Sequence, residues 1–218
     1  MGFFQAFRRQ TISPWQWTLL SGAALACLLL LSLGGWAWWS FYQSRGLAEL
    51  ELATLRIRES QGAQASADTR AEAIKALQSL IEKYPRLTAL PQAAYQLGNL
   101  HYQAKAFDAA RKAYQLALAK GARGTLATLC RLGIGYSWEA QGDHAKALAT
   151  FEAALQGLTT QDFLYAELLM DVARAHELLG QLDRARDMYL RLLKDHPQSR
   201  RAEGIRARLA SLEDSTRP

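Results

Sequence analysis

The sequence predicts an all-α protein: one N-terminal transmembrane helix, then an α-solenoid of helical hairpins closed by a C-terminal capping helix. A stretch without charge runs from Trp17 to Trp39 and is dominated by apolar side chains. Beyond it, an alanine followed four residues later by a large side chain recurs every 37 or 38 residues. Apolar residues in that region repeat at i, i+3 and i+4, for example Leu97, Leu100 and Ala104, as on a helix with one buried face.

The 23 residues from Trp17 to Trp39 would form a helix about 34 Å long, against a hydrocarbon core of about 30 Å. Eight leucines each favour insertion by about 0.3 to 0.6 kcal/mol, and no Asp, Lys or Arg opposes them. A secretory signal has a shorter apolar core, about 7 to 15 residues, ending in small residues. Here the only candidate cleavage site, Gly35-Trp36-Ala37, is embedded among Trp36, Trp38 and Trp39. Indoles suit the headgroup region, with an apolar body and one polar N–H, so these rings read as an interfacial belt. Trp15 and Trp17 form its counterpart at the other end, and an uncleaved anchor is preferred to a cleaved signal. Cys27 lies mid-span before four leucines, which does not suit a lipid-modified N-terminus. Gly22 and Ala26, one turn apart, offer a close-packing face that leaves the oligomeric state open.

Residues 1–16 carry Arg8 and Arg9 and no acid, whereas the first 15 residues beyond the span carry Arg45 against Glu49 and Glu51. Basic residues stay on the cytoplasmic side, so residues 46–212 are expected outside the cytoplasm. The net charge of +6 owes +3 to Arg8, Arg9 and Arg45, leaving 23 bases against 20 acids in the remainder. That balance is unlike a nucleic-acid-binding surface. Arg200, Arg201, Arg206 and Arg208 read as a solvated helix face. The two cysteines, Cys27 and Cys130, cannot staple the domain, so its stability must come from packing.

The repeat is carried by Ala73-Ile74-Lys75-Ala76-Leu77, Ala110-Arg111-Lys112-Ala113-Tyr114, Ala147-Leu148-Ala149-Thr150-Phe151 and Ala185-Arg186-Asp187-Met188-Tyr189. Ahead of the last three sit Gly98, Gly135 and Ala173, each followed by a polar turn. Small residues on both helices of a hairpin let the backbones approach, and the large side chain fills the gap to the next unit. Pro85 and Pro197 close two of the units, since a helix ends before proline.

This pattern of small residue, glycine turn, alanine, aromatic and terminal proline resembles the tetratricopeptide repeat, most fully over 91–119, 128–155 and 166–197. A diverged unit is expected at 47–85, its first helix following the anchor after a short break, and a capping helix at 200–212. His101 and His176 stand where the family favours Tyr, and Leu192 replaces an alanine. Each unit exceeds the usual repeat of about 34 residues, with the extra length in loops around 120–124 and 157–162. The layout of basic N-terminus, one span and repeats resembles the bacterial inner-membrane family that includes the ancillary SecYEG translocon subunit YfgM and is related to the repeat domain of the division coordinator CpoB. That resemblance implies a periplasmic interaction module holding secretory or envelope proteins, or their chaperones, near the translocon. The alternative is a scaffold subunit of a machine for cell division or peptidoglycan synthesis.

No catalytic constellation emerges. His176-Glu177-Leu178-Leu179-Gly180 begins like a zinc-protease helix but has glycine where the second histidine belongs. Gly133-Ile134-Gly135 lacks the third glycine of a dinucleotide loop, Trp138 standing there, and Ser137 lacks a nucleophile elbow. His144 and His196 fall at a turn and a helix end. Neither an enzyme nor a cofactor is expected, and the expected partner is a protein or peptide.

In the family such a partner lies in a concave groove formed by the first helix of each unit. Projected here, the groove takes Tyr95, Gln96, Asn99, Tyr102 and Gln103, then Leu129, Leu132, Tyr136 and Glu139, then Met170, Asp171, Arg174 and Glu177. Amides and tyrosines suit an extended peptide, bonding its backbone and giving its side chains flat apolar area. Tyr102 and Tyr136 could equally pack between helices. The carboxylate clamp of chaperone-binding repeats is disfavoured, because only Asn99 fits it while Gly133, Glu167 and Asp171 occupy the other clamp positions.

Overall fold

A computed structural model describes residues 14–61, 66–198 and 201–216, and all the regular structure among them is helical. The chain divides into two compact units, Met1–Arg45 and Gly46–Pro218. In the first, helix α1 (Pro14–Glu59) supplies the apolar segment, whose described side chains from Trp17 to Phe41 are exposed. Among the described residues it is the one helix long and apolar enough to cross a membrane, by length and composition. Its hydroxyls are satisfied within the helix: Thr18 Oγ1, Ser21 Oγ and Ser32 Oγ donate to the carbonyls of Trp15, Thr18 and Leu29 at 2.7, 3.0 and 2.8 Å. They therefore bring no unpaired donor into an apolar environment. At the end of the stretch Tyr42 stacks on Trp38 and Trp39, with centroids 5.8 and 5.9 Å apart. The short break expected before the first diverged helix is absent, because α1 continues to Glu59. No proline falls between Pro14 and Pro85 to interrupt it. Arg8 and Arg9 lie outside the described residues.

The second unit contains the remainder of α1, then α2 (Ala67–Lys83), α3 (Leu90–Gln103), α4 (Phe107–Ala119), α5 (Gly124–Glu139), α6 (His144–Leu155), α7 (Tyr165–Leu178), α8 (Leu182–Asp195) and α9 (Ala202–Thr216). Helices α3 and α4, α5 and α6, and α7 and α8 pair as hairpins, while α4 packs on α5, α6 on α7 and α3 on α5. Local chemistry sets many of the ends. Ser66 and Thr69 form a capping box at α2, Pro91 opens α3, and Asp143 Oδ1 accepts from Lys146 N at 3.1 Å to cap α6. Within the three hairpins the turn carries one left-handed residue at the same register: Lys105, Gly142 and Gly180, with φ of 58°, 80° and 71°.

The packing logic of the repeat is explicit at Tyr114. Its ring lies between Gly98 of its own hairpin and Gly133 of the next, and a methyl group at either glycine would overlap it. Phe151, fully buried, sits against Gly135 in the same way and packs with Leu132, Leu164, Leu168 and Val172. Burying such a ring contributes about 1.5 to 3 kcal/mol. In α9, Ile205, Leu209 and Leu212 cover Tyr189 and Leu192 of α8, so α9 shields the last hairpin. The basic cluster on this helix is not merely solvated: Arg208 Nε donates to both Glu177 carboxylate oxygens of α7 at 3.0 and 2.9 Å. Arg206 is exposed, and Arg200 lies outside the described residues.

Candidate functional site

The hairpins bring α3, α5 and α7, their first helices, into sequence along one face. Tyr95, Asn99 and Tyr102 of α3 meet Leu129, Leu132 and Tyr136 of α5 around a cleft of about 220 Å³. Those six comprise three of the five residues projected from the sequence for the first unit and three of the four projected for the second. Tyr114, Gly133 and Glu167 complete the lining. Tyr114 had a signal, the large side chain four residues after Ala110, but that signal announces packing; only the assembled hairpins bring its hydroxyl to Asn99 Oδ1, at 2.8 Å. With its oxygen accepting that bond, the Asn99 amide keeps its NH2 as the donor for a ligand. Burial pushes the Tyr114 hydroxyl well above its ordinary pKa, so it stays a neutral donor.

Tyr102 and Tyr136 both pack against a neighbouring ring and face the cleft. Each is half-buried with its ring edge-on to another aromatic, Tyr102 to the half-buried Phe107 at 5.5 Å and Tyr136 to the buried Phe151 at 5.4 Å, and each also lines the cleft. Glu167 is the one carboxyl side chain among the lining residues, and no Lys or Arg accompanies it, so the cleft is mildly acidic.

The other projected residues do not line it. Gln96 is half-buried and Gln103 exposed, and neither lines the cleft. Glu139, Asp171 and Arg174 are joined to one another: Tyr136 Oη donates to Asp171 Oδ2 at 2.6 Å, Arg174 donates to Asp171 Oδ1 at 2.6 Å, and its other nitrogen pairs with Glu139. This chain ties α5 to α7. Burial raises the Asp171 carboxyl above the usual range, outweighing the opposing pull of Tyr136 and Arg174. Burial also works to lower the Arg174 pKa, but its bonds to Asp171 and Glu139 prevail and leave it raised. Tyr136 is pushed far up by burial and by the carboxylate it donates to. Glu177 is held by Arg208, and Met170 lies against the core of the last hairpin, its sulfur 3.3 Å from Arg201 Nη1.

A family model, the Tetratricopeptide repeat-like domain, matches residues 16–214. The chain belongs to that family. Tetratricopeptide repeats bind protein partners, and the fold is typically a non-catalytic interaction scaffold. No curated protein matches the chain. Among solved structures, BtubC (BKLC) from P. vanneervenii is 22% identical with a TM-score of 0.53, the match covering 68% of this chain and 64% of that one. This chain thus spans less than two-thirds of that protein. The MamA RS-1 ArsTM double mutant is 13% identical with a TM-score of 0.56, covering 78% and 95%. A putative kinesin light chain of nearly identical TPR-like repeats from Podosopora anserina is 13% identical with a TM-score of 0.53, covering 81% and 99%. At these identities the likeness is one of fold.

Proposed function

We propose that this protein is a membrane-tethered interaction module. It is anchored in a bacterial inner membrane by Trp17–Trp39, with its N-terminus cytoplasmic and its repeats in the periplasm. There it holds secretory or envelope proteins, or periplasmic chaperones, beside the SecYEG translocon. The observation that carries the binding role is the cleft in which Tyr95, Asn99, Tyr102, Leu132 and Tyr136 converge from two successive first helices. Half-buried tyrosines with fixed rings give contact area at little entropic cost, and the Asn99 amide can pair with a peptide backbone. The tether is supported by the length and composition of the apolar helix and by the family match, which takes in both that segment and the repeats. Holding the cleft at the membrane raises the local concentration of any partner resident there.

A photo-crosslinking residue at position 102 in living cells tests this reading. The expected products are many nascent exported chains together with translocon subunits. One feature favours the scaffold alternative: Glu139, Asp171, Arg174 and Glu177 are already bonded internally, which gives the third unit a fixed surface suited to one constant folded partner. A single crosslinked partner from a division or peptidoglycan-synthesis machine would establish that alternative. Protease accessibility of the C-terminal helix tests the orientation. Degradation once the outer membrane is opened is expected, and protection until the inner membrane is broken would place the repeats in the cytoplasm.

A further inference from the structure

Helix α5 carries a second lined surface, away from the cleft. At 100° per residue, Arg131 and Trp138 lie about 100° to 180° around the helix from Leu129, Leu132 and Tyr136. Along that side two cavities of about 450 Å³ each adjoin and share Arg131. One is walled by the loops before α5 and after α6, through Arg123, Gly157, Leu158 and Phe163. These loops are where each repeat exceeds the ordinary length, so the extra residues of two units build one cavity. The other is walled by Trp138 and by Lys146, Ala149, Thr150 and Ala153, a helical stripe of α6.

Charge and exposure distinguish this furrow from the cleft. Three cations, Arg123, Arg131 and Lys146, line it against one acid, Asp162. Asp162 is occupied within its own turn, accepting from Thr159 N and Oγ1, both at 2.7 Å. Lys146 is paired with Asp143 at 2.7 Å, but Arg123 and Arg131 make no hydrogen bond or ion pair with a described residue. Phe163 is 90% exposed at one end, although large apolar side chains in this unit are otherwise mostly covered. At the other end Trp138 is held flat by Arg111 at 3.6 Å and Lys146 at 4.4 Å. From Gly124 to Trp138 the floor runs about 21 Å, the reach of about six residues of extended chain.

We infer that the α5–α6 furrow is a docking surface for an acidic, extended protein segment, whose carboxylates pair with Arg123 and Arg131 while an apolar side chain covers Phe163. The unpaired guanidiniums supply charge complementarity. The row of contacts is longer than a lipid headgroup, which favours a peptide. The furrow is distinct from the acidic cleft and selects the opposite charge.

The test uses the full chain in non-ionic detergent and a fluorescein-labelled hexapeptide of alternating glutamate and leucine, read by anisotropy. The expected result is saturable binding that weakens with salt and is not shared by the lysine counterpart. Arg131→Glu should weaken it at least about tenfold by like-charge repulsion. Phe163→Ala, at a site too exposed to affect folding, should weaken it about threefold or more. Tyr102→Ala, which alters the cleft alone, should leave it unchanged, so loss of cleft binding and loss of furrow binding are separable. The inference is overturned if the wild type does not bind the acidic peptide, if both furrow variants bind it normally, or if the lysine peptide binds equally. It is overturned in favour of lipid if equimolar phosphatidylglycerol displaces the peptide. It is overturned in favour of a second copy if light scattering shows a dimer that Phe163→Ala dissolves.

Discussion

Tyr102, Glu139 and Glu177 occupy the same register on α3, α5 and α7, one turn beyond Gly98, Gly135 and Ala173, yet they do different things. Tyr102 lines an open cleft, whereas Glu139 reaches forward to Arg174 and Glu177 to Arg208. Where the position carries a carboxylate and the next element offers a guanidinium, neighbouring helices are tied and the groove position is consumed. Where it carries a ring, no tie forms and the position remains able to meet a ligand. A groove position in a repeat is therefore an address, and its role depends on what the following helix presents.

The largest way to break this contrast is at the joint between the open and tied regions. Phe151→Ala removes the fully buried ring that packs α5 and α6 against Leu168 and Val172 of α7, and should cost about 3 to 5 kcal/mol in urea unfolding. An unchanged midpoint would mean the regions are not held together there. Next comes the tie itself. Arg174→Met leaves Asp171 buried without its cation, for about 1 to 2 kcal/mol, discounted because Arg174 is 39% exposed.

That loss should depend on pH. The Asp171 pKa is raised in the folded state, so the folded chain holds the proton more readily than the unfolded one, and stability falls as pH rises through the interval between the two values. The deficit of Arg174→Met relative to the wild type is therefore full near pH 7 and shrinks as pH falls toward the unfolded carboxylate value of about 4. A deficit that does not change with pH would assign the role of Arg174 to packing.

Arg208→Ala cuts the tie to α9 and should cost about 0.5 to 1 kcal/mol, seen as faster amide exchange in α9 with α3 to α6 unchanged. The smallest effect concerns the first hairpin's turn, where Lys105 holds the left-handed conformation that the other two hairpins give to glycine. Lys105→Gly should raise stability by about 0.5 kcal/mol, strain relief exceeding the added entropy of the unfolded chain.

The hairpins were legible because their signals are local. Small residues at 98, 135 and 173 and rings at 114, 151 and 189 recur at fixed offsets, and the tyrosine-rich part of the cleft follows from that register. The continuity of α1 was less so, since an amphipathic stretch following an apolar one leaves no local mark of whether the helix pauses between them. Asp171 and Arg174 were placed on the groove face by the same register, but register does not reveal that each faces a partner on another helix. The basic cluster near the C-terminus likewise gave no sign of which arginine would find Glu177.

By itself the sequence determined the helical class, the apolar segment, the repeat and the faces each helix turns inward, because periodicity and the sizes of neighbouring side chains are written along the chain. Only the tertiary structure decided which polar groups remain open to a ligand. Pairing across 31 to 35 residues depends on where two side chains end after the helices have packed, as between Glu177 and Arg208 or Glu139 and Arg174. A displacement of a few ångströms there separates a charge-assisted bond from a solvated ion.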